Sequence, residues 1–201
     1  MKKMFLVSFA VALLAGGFQT ASAQNWRNAP QYHFGIRGGI SGTTSLDDGW
    51  DGDNGTYDLW APTVGLAYDT KIAKIPFYVE TGLYYMNRGQ KYEVWSVGNY
   101  PSTSERYTEN NHSLLVPALI SYHIYTGKNV SIQPFTGPYF AYGFNDEEFD
   151  FGWRIGCGLN VKQFYVNLGA DLGLKDSFDS SHYGNVSSFF MTVGWNILGK
   201  R

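Results

Sequence analysis

Two residues with catalytic potential, Ser121 and His123, lie two positions apart in a segment of alternating apolar residues. Side chains at positions i and i+2 of a β-strand project from the same face, so this hydroxyl and imidazole would be neighbours. A nucleophile with its general base also needs a third group that orients the base, and the sequence offers no identifiable acid for that role. We therefore predict no catalytic residues and expect that this chain is not an enzyme.

The densest acidic cluster is Asp47-Asp48-Gly49-Trp50-Asp51-Gly52-Asp53-Asn54-Gly55. Carboxylates that alternate with glycine resemble oxygen-rich calcium loops, but the twelve-residue register with its terminal glutamate is absent. We expect a solvated acidic turn, with calcium binding in the 47–55 segment left open. Cys157 is the only cysteine, and no Cys or His residues occur at a metal-ligand spacing. The sequence therefore predicts no metal site and no cofactor.

Isolated ions occur within alternating segments, always on the face opposite the large apolar residues. They are Arg37, Glu80, Arg88, Arg154 and Asp171, accompanied by His33 and His123. Charges that share a confined interior must pair to offset their loss of hydration. We therefore predict a polar network of these five ions, in which Arg37 and Arg154 neutralise Glu80 and Asp171.

Period-2 alternation recurs through eight segments and predicts eight β-strands. They cover residues 32–41, 59–69, 77–88, 114–125, 130–144, 149–161, 164–174 and 187–197. The connections alternate between mostly long loops (42–58, 89–113, 145–148, 175–186) and short turns (70–76, 126–129, 162–163), as in outer-membrane barrels. Proline removes a donor from a β-ladder, so we expect bulges or strand ends at some of Pro62, Pro117, Pro134 and Pro138.

The length of 201 residues and a charged fraction of only 16% favour one folded domain. This composition argues against a disordered chain, a coiled coil or a nucleic-acid-binding protein. Residues 1–23 resemble a secretory signal peptide, with Lys2 and Lys3 before an apolar run and Ala21-Ser22-Ala23 as the cleavage site. The mature domain would then cover residues 24–201.

The apolar face of such a sheet could meet lipid or the core of a soluble barrel. Lysine placement favours lipid, because the lysines of the predicted mature chain all fall in loops, turns or chain ends: Lys71, Lys74, Lys91, Lys128, Lys162, Lys175 and Lys200. Aromatic residues also gather near both ends of the predicted strands, as in the girdles of membrane barrels. We therefore predict an all-β fold, an eight-stranded antiparallel up-and-down transmembrane β-barrel in the cell outer membrane.

Four segments carry a resemblance to a known family. They are Phe77–Tyr85 with Arg88-Gly89, Val116-Pro117-Ala118-Leu119, Thr136-Gly137-Pro138-Tyr139 and Asp150–Leu159. In this order they resemble the outer-membrane β-barrel domain family of Bacteroidetes, the PorT-like group. The resemblance implies a small eight-stranded barrel, with prolines tolerated in the fourth and fifth strands.

The predicted function is a structural or interaction role. The barrel would have a side-chain-filled lumen and would act through extracellular loops, or within an envelope assembly such as PorT-like secretion. A narrow transporter or channel for small solutes and an outer-membrane lipid-modifying enzyme remain alternatives. The expected partners are outer-membrane lipid and, at the extracellular loops, a protein. We expect a monomer that binds no nucleic acid.

Overall fold

A computed structural model describes residues 29–45, 56–57, 59–73, 75–95, 104–126, 129–145, 147–174 and 186–200. The predicted signal peptide (1–23) and the acidic 47–55 segment lie outside these ranges. No helix in this described part of the chain is long and apolar enough to cross a membrane.

The described residues form eight long strands and four short ones. The long strands are β1 (Tyr32–Ser45), β3 (Leu59–Lys71), β4 (Phe77–Asn87), β7 (His112–Tyr122), β9 (Val130–Gly143), β10 (Phe149–Val161), β11 (Phe164–Gly173) and β12 (Val186–Lys200). The short strands are β2 (Thr56–Tyr57), β5 (Gln90–Trp95), β6 (Ser104–Glu109) and β8 (Ile124–Tyr125). The long strands have 10 to 15 residues, which is enough to cross a bilayer, since a crossing takes about 9–11 tilted residues.

The eight long strands form a closed antiparallel ring. Each pairs with the next long strand along the chain, from β1 and β3 around to β11 and β12. The ring closes where β1 pairs with β12, from Tyr32 opposite Lys200 to Ser45 opposite Val186. Closure leaves no unpaired sheet edge in the wall. The predicted eight-stranded antiparallel barrel is therefore confirmed.

The remaining strands correct the predicted connections. Residues 89–113 were expected to be a loop, but β5 and β6 pair there from Gln90 opposite Glu109 to Trp95 opposite Ser104. The two residues of β2 pair with the edge of β5 that faces away from β6, which gives a three-stranded sheet separate from the ring. Strands outside hydrocarbon need no continuous apolar face, so their alternation is too weak to be recognised. The fourth predicted strand is also interrupted, since β7 ends at Tyr122 and β8 begins at Ile124.

The two faces of the wall have opposite polarity. On β10, Phe151, Trp153, Ile155 and Leu159 are exposed on the outside, whereas the intervening Gly152, Arg154, Gly158 and Asn160 are buried. Large apolar side chains cover the exterior of the other strands too, with Phe189 61% and Trp60 59% exposed. Buried polar residues outnumber buried apolar ones inside. A water-soluble barrel would show the reverse arrangement, so the exterior suits hydrocarbon.

Aromatic side chains form paired contacts at both ends of the exterior. At the short-turn end, ring centroids lie 4.9 Å apart for Phe77 and Tyr122 and 4.4 Å apart for Phe164 and Trp195. At the long-loop end, Tyr142 lies 4.8 Å from Phe149. These positions match the expected aromatic girdles at the two membrane interfaces.

Proline interrupts the wall without breaking its register. The β4–β7 ladder pauses between the pairs Thr81–Ala118 and Tyr84–Leu115, next to Pro117. The β7–β9 ladder pauses on the other side of Pro117. The Thr81 hydroxyl donates a 2.8 Å hydrogen bond to the Pro117 carbonyl and so replaces part of the missing ladder. Pro134 and Pro138 lie within an uninterrupted β9–β10 ladder. On the other side of β9, the ladder with β7 and β8 lacks the pairs at both prolines, so the expected irregularity is confirmed there too.

Candidate functional site

The barrel interior contains the polar residues that the sequence selected. Arg37, Glu80, Arg88, Arg154 and Asp171 are all buried, and alternation along their strands turns them inward. They come from β1, β4, the residue after β4, β10 and β11, so the lumen collects them from around the ring. We call this set, with the residues that bind it, the lumen network.

The strongest contact of the lumen network joins Arg154 and Asp171. Arg154 Nε donates to Asp171 Oδ1 at 2.6 Å, and Nη2 donates to Oδ2 at 2.7 Å. The Ser188 hydroxyl adds a 3.4 Å contact to Oδ2. The guanidinium also lies over the rings of Phe190, at 4.3 Å, and Tyr84, at 5.3 Å. Asp171 is therefore paired with Arg154, one of the two arginines that were expected to neutralise Glu80 and Asp171.

A second ion pair lies nearer the long-loop end. Arg88 Nη1 donates to Asp150 Oδ2, and Arg88 Nη2 donates to the Tyr139 hydroxyl at 3.0 Å. Sequence reasoning omitted Asp150, although it alternates with the outward-facing Phe149 and Phe151. That alternation would have placed its carboxylate on the inner face.

Arg37 has a different environment from the one expected. Its Nη2 donates to Asn196 Oδ1 at 2.7 Å, and its guanidinium lies 4.3 Å from the centre of the Tyr165 ring. Its Nε is buried and has no hydrogen-bond partner. Arg37 is thus held by an amide and an aromatic face, and within the described ranges no carboxylate forms an ion pair with it.

Glu80 is the remaining carboxylate of the predicted network. It is 4% exposed, yet within the described ranges no hydrogen bond or ion pair within 4 Å joins its carboxylate to a cation. Arg154 is committed to Asp171 and Arg37 to Asn196. Charge alternation shows which face an ion occupies, but the stagger of the strands decides which ions meet. Glu80 therefore has no direct ion pair within the described ranges, and its neutralisation by Arg37 or Arg154 stays a prediction.

A second polar cluster lies at the short-turn end of the lumen. His33 Nδ1 lies 2.7 Å from Asp69 Oδ1. The rings of Tyr78 and His123 stack with centroids 3.7 Å apart and planes 8° apart. The Tyr78 hydroxyl donates to the Pro30 carbonyl at 2.7 Å and lies 3.0 Å from the Tyr125 hydroxyl. These contacts fill the mouth of the barrel with rings.

Ser121 and His123 meet as expected, but the arrangement is incomplete for catalysis. Ser121 Oγ lies 3.1 Å from His123 Nε2. The other ring nitrogen, Nδ1, lies 3.4 Å from the Tyr125 hydroxyl, and no acid in the described part of the chain contacts it. The carboxylate at this end, Asp69, is bound to His33. Ser121 itself is 0% exposed, so a bulky substrate has no path to its hydroxyl.

The described residues contain no cluster of three or more His, Cys, Asp or Glu side chains that could hold a metal ion. Cys157 is exposed on the outer face of β10, where the alternation placed it. A thiol facing hydrocarbon is an apolar group rather than a reactive thiolate.

Large side chains fill the lumen along its length. Tyr139 and Leu115 near the long-loop end are fully buried, as is Tyr78 near the short turns. Glycines on the inner face make room for them: a Cβ on Gly156 would lie 2.4 Å from the Phe135 ring, and one on Gly169 would lie 2.5 Å from the Phe190 ring. Eight-stranded barrels have interiors just wide enough for such filling.

Four features of the barrel point to a membrane: its closure, its strand length, its apolar exterior and its aromatic girdles. Hydrocarbon offers no hydrogen bonds to a backbone, so a sheet can cross it only as a closed barrel. Single-chain antiparallel barrels of this kind belong to outer membranes. The chain is a small outer-membrane β-barrel.

No family model and no curated protein sequence matches this barrel. Solved structures that are similar to it include the outer membrane protein OprG from Pseudomonas aeruginosa, with 11% identity over 83% of this chain and 96% of that chain and a TM-score of 0.48. Neisserial surface protein A has 8% identity, 84% and 99% coverage and a TM-score of 0.43. Ail, the attachment invasion locus protein of Yersinia pestis, has 10% identity, 83% and 98% coverage and a TM-score of 0.39. The assignment to a membrane rests on the barrel's own exterior, and we draw no functional conclusion from these similarities.

Proposed function

We propose that this barrel is a non-conducting membrane anchor that presents its loop end to a protein partner. The observation that carries the proposal is the packed lumen. From Tyr139 at one end to Tyr78 at the other, the inward side chains leave almost no exposed surface. A channel requires a continuous hydrated path, and the buried rings and the bidentate Arg154–Asp171 pair argue against such a path here.

The sheet of β2, β5 and β6 supports an interaction role. Residues of β5 and β6 pair over their whole length, so this part of the long connection is an ordered hairpin. Among the strands that the structure describes, β6 pairs only with β5. Tyr107 on β6 is 45% exposed. Exposed tyrosine on an ordered hairpin offers a large, rigid contact area at low entropic cost.

The resemblance to the PorT-like group supports a role in an envelope assembly. We further propose that outer-membrane lipid surrounds the wall and that the functional unit is a single barrel. A lipid-modifying activity is a weaker alternative, because Ser121 is fully buried and His123 has no acid to orient it. We therefore propose that the chain is not an enzyme.

Planar-bilayer recording tests the packed lumen directly. The purified barrel is expected to produce no steady single-channel steps, because no water-filled path crosses it. A porin added afterwards to the same bilayer serves as the insertion control. Reproducible conductance steps from the barrel would instead favour the narrow-transporter alternative and would contradict the proposal.

Site-specific photocrosslinking in intact cells tests the loop end. A photoreactive amino acid in place of the exposed Tyr107 is expected to give a protein adduct of defined mass. The matched control places the same group at Leu168, which is 54% exposed on the lipid-facing wall. That position is expected to give no protein adduct. Equal adducts from both positions, or none from position 107, would count against a partner at the loop end.

A further inference from the structure

Charge is divided unequally between the two ends of the barrel. At the short-turn end, residues 70–77, 122–130, 161–164 and 195–201 include five lysines and contain no Asp or Glu. The connections at the opposite end contain most of the acidic residues: Asp47, Asp48, Asp51, Asp53, Asp58, Glu93, Glu105, Glu109, Asp146, Glu147, Glu148, Asp176 and Asp179. One rim is therefore basic, and the other end is acidic.

The topology distributes these lysines around the circumference of the basic rim. Lys71 ends β3, Lys162 lies in the β10–β11 turn, and Lys200 ends β12. In the sequence, Lys74 falls between β3 and β4, and Lys128 falls between β8 and β9. Each junction between strands at this end thus has at least one lysine.

The aromatic girdle fixes the depth of the basic rim. Tyr68 precedes Lys71 by three residues, and Phe164 follows Lys162 by two. A strand rises about 3.3 Å per residue, so these lysines lie just beyond rings that mark the membrane interface. Lys162 is exposed. An ammonium group at this depth faces lipid headgroups.

We propose that the basic rim is a binding collar for the phosphate groups of anionic phospholipids, with Lys71 and Lys162 among its contacts. A protein partner would contact the barrel on one side, whereas a lipid leaflet surrounds the whole barrel. The lysines are distributed around the whole circumference, so they fit a lipid leaflet better. Lysine attraction to an anionic leaflet acts within a Debye length of about 8–10 Å. The acidic opposite end is repelled by the same headgroups, so the division of charge also favours one orientation.

Quenching by brominated lipids tests this collar. Two single-tryptophan proteins are needed, one that retains Trp195 at the basic rim and one that retains Trp60 at the opposite end, with phenylalanine at the other tryptophan positions. Each is refolded into phosphatidylcholine vesicles that contain equal mole fractions of either brominated-acyl phosphatidylglycerol or brominated-acyl phosphatidylcholine. We expect Trp195 to select phosphatidylglycerol about threefold and Trp60 to show no such selection.

Charge-removal variants complete the test. In the Trp195 protein, the combined change Lys71→Gln, Lys162→Asn and Lys200→Gln is expected to abolish the selection, as is high salt. Asparagine suits position 162 because its backbone φ is 59°. The matched control, Lys91→Gln with Lys175→Gln, removes charge at the loop end and is expected to preserve the selection. Heat-modifiable migration confirms folding. Equal quenching of Trp195 by the two lipids, or selection that survives the triple change, would overturn the proposal.

Discussion

Asp171→Ala is expected to lower the free energy of unfolding by about 3–5 kcal/mol. Arg154 is 3% exposed and Asp171 is 0% exposed, so the substitution strands a buried guanidinium between the Phe190 and Tyr84 rings. No water can replace the two hydrogen bonds of 2.6 Å and 2.7 Å without opening the packed lumen. Urea unfolding in lipid vesicles, followed by tryptophan fluorescence, gives the measurement.

Two controls separate the stranded charge from the lost volume. The double variant Arg154→Met with Asp171→Leu removes both charges and is expected to cost much less than the single change. Asp150→Ala also breaks an ion pair, but the Asp150 side chain is 23% exposed, so water can reach the site and the cost is expected to be smaller. A double variant as unstable as Asp171→Ala would show that packing, and not charge, accounts for the loss.

Gly39→Ala is expected to prevent closure of the barrel or to destabilise it by about 3 kcal/mol or more. A Cβ at this position would lie 1.9 Å from the Met191 carbonyl oxygen and 2.7 Å from the Thr192 Cα. Both atoms belong to the backbone of β12, so no side-chain rotation can relieve the clash. The first and last strands would have to separate at the position where Gly39 pairs with Thr192.

Gly38→Ala is the matched control for this clash. The nearest atom to a Cβ at Gly38 is the Thr63 carbonyl oxygen, at 4.0 Å. Both substitutions remove the same conformational freedom from the unfolded chain, so their difference reports the close approach of β1 and β12. Heat-modifiable migration on gels and urea unfolding are expected to show a folded Gly38→Ala protein and a largely unfolded Gly39→Ala protein. Equal stability of the two variants would refute the steric argument.

The sequence predicts the barrel wall well because each strand faces hydrocarbon on one side and the polar lumen on the other. On β10, alternation between hydrocarbon and lumen gives the strand bounds of Phe149–Val161 without error. It also isolates the two-residue turn of Lys162 and Gln163. Beyond the membrane this constraint disappears, so the paired strands β5 and β6 carry no comparable pattern and were missed.

The lumen is only half predictable, for a related reason. Period-2 alternation places Arg37, Glu80 and Arg154 on the inner face, as observed. Which of them pair depends on the stagger between strands, which a short hairpin turn fixes but a long connection does not. The two-residue turn of Lys162 and Gln163 places Arg154 opposite Asp171, so the sequence determines that contact but leaves the partner of Glu80 open. It also overlooks the amide of Asn196 as the ligand of Arg37.

The contact between β1 and β12 has a consequence for biogenesis. These strands come first and last in the wall, and they pair from Tyr32 to Ser45, with one register shift between Phe34 and Gly35. The ring cannot be completed until the final strand is available, so native structure cannot accumulate gradually as the chain is synthesised. Pairings between residues so distant in sequence also slow folding. The polypeptide must therefore reach its bilayer as an unfolded chain, and its apolar side chains must be shielded from water on the way.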